Sequence, residues 1–133
     1  MKITQYAYLA GLIDGEGYLG LTKRSDGWRA RIILSNCNLK LLQTVKGWLP
    51  GCITKKPKRE NWNQGYNLAL YGVRDWLPFV IPHMVAKRRK AELFLQALDM
   101  LHKRQKQTTG AKKMYLPEIE KINKQMRLNE WDL

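Results

Sequence analysis

Hydrophobic positions change their period several times along this chain, and each change marks a structural element. Ala7, Tyr8, Gly11, Leu12 and Gly15 recur at intervals of three and four, which predicts a helix over residues 4–14 with Thr4 as its candidate N-cap. The next stretches, YLGLTKR and WRARIILS, alternate instead, and SDG between them supplies turn chemistry, so residues 18–35 read as a hairpin. Alternation sends Leu19 and Leu21, then Trp28, Ala30, Ile32 and Leu34, to one side. Tyr18, Thr22, Arg24, Arg29 and Arg31 go to the other.

The same order then repeats. NLKLLQTVKGWL places Leu39, Leu42, Val45 and Leu49 at helical intervals and stops at Pro50 and Gly51. A second hairpin runs from CITKKPK through the polar loop RENWNQG to YNLALYG, with Tyr66, Leu68 and Leu70 on one face. VRDWLPFVIP predicts a short helix closed by Pro82, and VAKRRKAELFLQALDMLHKR a long amphipathic helix with Leu93, Leu95, Leu98 and Leu101 as its stripe. QKQTTGAKKM is a polar, basic linker before a last helical segment over residues 117–128. Residues 1–104 are therefore expected to form a core domain, and residues 105–133 a basic linker and helical extension of that domain. Paired αββ units assemble into an α+β fold, αββαββα, whose four-stranded antiparallel curved sheet carries helices on one face and leaves the other open.

Charge gives that open face a purpose. Within 133 residues, 24 Lys and Arg against 11 Asp and Glu leave a net charge of +13, which calls for a polyanionic partner. The cations are spread along the chain, and no apolar run approaches the ~20 residues that span a bilayer, so nucleic acid is favoured over a membrane. TKKPKRE adds Lys55, Lys56, Lys58 and Arg59 to the cations of the open side. Acid follows the first apolar run almost at once, unlike a signal peptide. Cys37 and Cys52 form no CxxC, so neither a zinc site nor a disulfide framework is indicated, and a reducing intracellular compartment is expected, prokaryotic cytoplasm or organelle matrix. His83 and His102 read as structural or surface residues, and Trp28, Trp48, Trp62 and Trp76 as core or rim packing.

One segment resists an ordinary packing explanation. YLAGLIDGEGYLG puts four glycines and two carboxylates where a helix ends, although glycine costs a helix interior roughly 0.5–1 kcal/mol and the helix dipole disfavours acid there. Ala7, Gly11 and Gly15 fall four apart, a stripe along which another backbone can approach closely. If that backbone is the same helix of a second copy, the acids converge on a two-fold axis and require a divalent cation between them. Acids holding such a metal under a basic sheet can hydrolyse a phosphodiester.

LAGLIDGEG, residues 9–17, resembles the signature of the LAGLIDADG homing endonucleases in seven of nine letters, with Gly15 and Glu16 in place of the usual Ala and Asp. The resemblance extends to the αββαββα order and the AKRRKAELFLQAL helix, to about residue 101. It implies a site-specific endonuclease that cuts both strands of a long, partly palindromic double-stranded DNA and leaves short 3′ overhangs. It implies no small-molecule substrate, and Mg²⁺, or another divalent cation such as Mn²⁺, as cofactor. A single motif implies a homodimer through residues 9–17, with Ala7, Gly11, Leu12, Asp14 and Gly15 at the interface. Glu16 would bind metal with the Gly15 carbonyl nearby, Lys87 would be the basic residue near the scissile phosphate, and Ser35 or Asn36 would order water. DNA would lie against Tyr18, Thr22, Arg24, Arg29, Arg31, Lys55, Lys56, Lys58 and Arg59. The alternative on the same fold is an RNA maturase or a DNA-binding protein that does not cut.

Overall fold

Helix and strand follow one another without a loop where the motif ends. In the computed structural model α1 spans Ile3–Glu16 and β1, Gly17–Arg24, begins at the next residue. There follow β2 (Gly27–Asn36), α2 (Leu39–Trp48), β3 (Gly51–Lys55), β4 (Tyr66–Leu70) and α3 (Val73–Val80), then a 3₁₀ turn (Ile81–His83), α4 (Arg88–Gln105) and α5 (Leu116–Asn129). The structure describes residues 1–25, 27–105 and 116–129. Asp26 of the expected SDG turn and residues 106–114 of the expected linker lie outside the described residues.

The two hairpins join through their inner strands. The sheet order is β1-β2-β4-β3, antiparallel throughout, with Leu19 opposite Ile32, Ile32 opposite Leu70, and Gly51 opposite Leu70 on the other side. Leu19, Leu21, Ile32, Leu34, Leu68 and Leu70 are buried beneath the helices together with Leu9, Ile13, Leu42, Leu77 and Phe94. The residues between them in β1 and β2 remain exposed or half-exposed, Gly20 excepted. Alternation thus yields a sheet with one covered and one open face.

Three local expectations are corrected. Thr4 lies within α1 and does not cap it; Lys2 stands at the cap position, Gln5 Oε1 accepts the Lys2 N–H at 2.9 Å, and the Gln5 N–H donates to the Lys2 carbonyl at 3.0 Å. α1 also runs two residues past Asp14. On α4 the buried face is Lys90, Ala91, Leu93, Phe94 and Ala97, while Leu95, Leu98 and Leu101 are half-buried at its flank. α4 packs on α3, on β1 and β2, and on α5, whose Ile119, Ile122 and Met126 are buried, so its apolar surface is wider than a single stripe.

Candidate functional site

The C-terminal end of α1 gathers side chains that lie far apart in sequence. Its last turn contains no basic residue, yet its carbonyls need donors and its dipole needs positive charge. Lys87, in the approach to α4, supplies both. Its ammonium donates to Ile13 O at 3.2 Å and to Gly17 O at 2.6 Å. Asp14 holds that approach in place: Oδ2 accepts the Val85 N–H at 2.8 Å and Oδ1 the Lys87 N–H at 2.9 Å. An acid that looked misplaced at the end of its own helix therefore anchors the start of another.

Glu16 is the last residue of α1 and is exposed. Asn36, the last residue of β2, donates from Nδ2 to Glu16 Oε2 at 2.6 Å, and its own Oδ1 accepts the Asn38 N–H at 2.7 Å. That second bond fixes the amide so that its NH₂ faces the carboxylate. Ser35 takes a different direction and donates from Oγ to Asn67 Oδ1 on β4. The structure therefore brings Gly15, Glu16, Asn36 and Lys87 to one helix end, with the Ser35–Asn67 pair on the adjoining strands. It also separates the four basic residues entering α4. Lys87 turns to α1, Lys90 is buried at 7% exposure, and Arg88 and Arg89 lie outside, 4.0 and 3.9 Å from Glu92.

The open face starts beside this cluster. Tyr18, Thr22, Arg24, Arg29 and Arg31 are exposed on it, with Gly20 opposite Arg31 and Thr22 opposite Arg29. Ile33, Asn67, Ala69, Cys52 and Thr54 share this face and were missed, although Tyr66, Leu68 and Leu70 pointing inward already implied that Asn67 and Ala69 point outward. Lys55 stands opposite Tyr66, in register with the covered set and not with Thr54. Lys56, Lys58 and Arg59 are exposed in the loop beyond β3, where the Arg59 guanidinium lies 5.3 Å from the ring centre of Trp62. Trp28 and Trp76 are core residues, Trp48 is half-buried, and Trp62 is 64% exposed.

α1 has two unlike sides. Leu9, Ala10 and Ile13 are fully buried, whereas Ala7, Gly11 and Gly15 are exposed and Leu12 is half-buried. A Cβ built on Gly11 or Gly15 would meet nothing within 4 Å. Among the described residues no three His, Cys, Asp or Glu side chains come together in a way that could hold a metal within one chain. No described helix is long and apolar enough to cross a membrane.

A helix ending in acid on an open four-stranded sheet is the fold of the LAGLIDADG homing endonucleases. Among solved structures the chain is similar to the homing endonuclease I-CvuI in complex with its target, at 18% identity and TM-score 0.72 over 96% of this chain and 82% of that one. The archaeal intron-encoded homing endonuclease I-Vdi141I complexed with DNA gives 18% and 0.72 over 95% and 84%. The LAGLIDADG homing endonuclease I-GzeII in complex with DNA target gives 21% and 0.64 over 89% of this chain and 43% of that one. No protein-family model and no curated protein gives a significant match, so the likeness rests on structure.

Proposed function

We propose that two copies of this chain pair through the exposed stripe of α1 and act as a divalent-metal-dependent, site-specific endonuclease on a long, partly palindromic DNA duplex. The observation that carries this reading is the placement of Glu16, an exposed carboxylate ending a helix whose free side is built of Ala7, Gly11 and Gly15, beside a cationic sheet face. Pairing along that stripe brings the Glu16 of each copy together next to whatever lies across both sheets. A two-fold pair of half-sites in the DNA then matches the two-fold of the protein.

The donor set fits a hard cation. Glu16 offers a carboxylate, and Gly15 belongs to the last helical turn, whose carbonyls have no partner within the helix. Among the described residues no three such side chains of one chain gather to hold a metal, so in this reading a second copy and the phosphates of the duplex complete the site. Bound there, Mg²⁺ or a similar ion supplies activation of water and stabilisation of the leaving oxygen. Asn36 orients the Glu16 carboxylate by occupying one of its oxygens, Lys87 keeps positive charge beside the scissile phosphate while holding the end of α1, and Ser35 with Asn67 orders water next to them. The sheet face bearing Arg29 and Arg31 positions the duplex.

Glu16→Gln keeps size and removes charge. With Mg²⁺ and a library of DNA targets, the wild-type protein is expected to yield discrete fragments. The variant should lose cutting by at least about 100-fold, the upper loss seen when only an outer-sphere residue is removed. Circular dichroism and sequence-specific binding should persist. Cutting at the wild-type rate by the variant removes Glu16 from the site, and specific binding without any fragments from the wild type identifies a non-cleaving protein on this fold.

A further inference from the structure

The strand register arranges the open face in rows that differ sharply in chemistry. Nearest Glu16 lies a polar row, Ser35 opposite Asn67 opposite Thr54. Next comes a row without charge, Tyr18 opposite Ile33 opposite Ala69 opposite Cys52. Arg31 opposite Gly20 follows, then Arg29 opposite Thr22, then Arg24. On a face charged enough to bind polyanions, an uninterrupted apolar band crossing all four strands requires a reason of its own.

Tyr18 deepens that band. A Cβ added at Gly20 would run into the Tyr18 ring and hydroxyl, so the ring lies back along the strand over Gly20 and is still 51% exposed. From its root opposite Ile33 the Tyr18 ring therefore reaches into the space opposite Arg31, where Gly20 has no side chain of its own. Arg31, Ala69 and Tyr71 line one open hollow of about 440 Å³ on this side of the sheet.

We infer that the row Tyr18–Ile33–Ala69–Cys52 selects thymine, through the C5-methyl group in the major groove, and that Arg31 selects guanine about two base pairs farther from the cut. This deepens the reading of the face as a duplex-binding surface and rests on it. Thymine is the one base whose major-groove edge presents a methyl group, and apolar side chains are what meets it; a two-donor guanidinium matches O6 and N7 of guanine. Same-face residues two apart on a strand are separated by about 6.8 Å, close to two base-pair steps of roughly 3.4 Å, so successive rows address positions about two apart. The polar row next to Glu16 faces the central base pairs, and the arginine rows face the outer ones.

Selection of bound duplexes from a randomised pool, without divalent metal so that nothing is cut, reads the preference directly. The selected half-site is expected to contain a thymine, with a guanine about two positions outward. Deoxyuridine in place of that thymine removes only the methyl group and should weaken wild-type binding by about fourfold per half-site, the worth of one buried carbon. In Ile33→Ala the same replacement should change affinity by less than about twofold. Ile33→Arg, repeated in the selection, should exchange thymine for guanine at that position alone. Specific sites that carry G·C opposite this row, or an unchanged uracil effect in Ile33→Ala, overturn the inference while leaving the endonuclease reading intact. A pool that yields no preferred sequence overturns both.

Discussion

The four glycines of YLAGLIDGEGYLG fall into two kinds that its letters do not distinguish. Gly11 and Gly15 open onto empty space, and nothing within this chain forbids a side chain at either. Gly17 and Gly20 are closed. A Cβ at Gly17 would stand 2.7 Å from Ile13 O and 2.8 Å from Ile13 Cα, and one at Gly20 would meet the Tyr18 ring. The fold explains the closed pair, since the chain passes from helix to strand at Gly17 with no intervening residue. The open pair costs α1 helix stability for no return within a single chain, which is the ground for the proposed pairing with a second copy.

Replacing Gly11 with Leu should give the largest effect and break the comparison if it is wrong. Leu improves helix propensity by about 0.8 kcal/mol over Gly and meets no neighbour in the single chain, so circular dichroism should show the helix content unchanged. Two backbones in close contact have no room for that side chain. Sedimentation should show association weakened by at least about 100-fold, some 2.7 kcal/mol, with cleavage lost in step. A normal dimer from Gly11→Leu would place the interface elsewhere.

Gly17→Ala tests the closed side. The atoms it meets are the backbone oxygen and Cα of Ile13, which cannot move without disturbing the helix end that Lys87 also holds. Overpacking of this kind costs about 1–3 kcal/mol, more than the ~0.4–1 kcal/mol regained from a less flexible unfolded chain. Urea unfolding at fixed protein concentration should therefore show a loss of roughly 1–2 kcal/mol. Unchanged stability would mean that the helix-to-strand junction is looser than its geometry.

How much of this was legible beforehand follows the range of the interactions. Alternation in YLGLTKR, WRARIILS and YNLALYG marked β1, β2 and β4 and their covered sides, because a strand's two sides are written in adjacent letters, whereas CITKKPK does not alternate and Lys55 was put on the wrong side. The buried face of α4 was misjudged because leucine was counted ahead of Ala91, Phe94 and Ala97, and because α5 adds a second contact side. Asp14 was placed at the helix pairing by the resemblance, and its bonds to the N–H groups of Val85 and Lys87 could not be read from pattern, since those residues are 71 and 73 positions away. The family resemblance offered Ser35 or Asn36 as the residue that orders water in the site, and the structure shows Asn36 bonded to Glu16 at 2.6 Å. Ser35 was named with it, yet its hydroxyl turns to Asn67, a residue that pattern alone places on the open face without indicating a partner.

Gly20→Ala should have the smallest effect on the fold and sharpens the comparison most. Its neighbour is the far end of a side chain, which can swing aside, whereas the neighbour of Gly17 is backbone. Alanine also suits a strand better than glycine, so stability should stay within about 1 kcal/mol of wild type. The Tyr18 ring, however, must leave its place over Gly20, and a methyl group then stands opposite Arg31. Affinity for the selected duplex should fall by a few-fold, and the cost of replacing the thymine by deoxyuridine should shrink, because one wall of its contact has moved. Stability and binding should therefore separate in this variant, whereas in Gly17→Ala they decline together. If Gly20→Ala binds every duplex as the wild type does, the ring's position over Gly20 has no part in reading DNA, and Ile33 carries the apolar row without it.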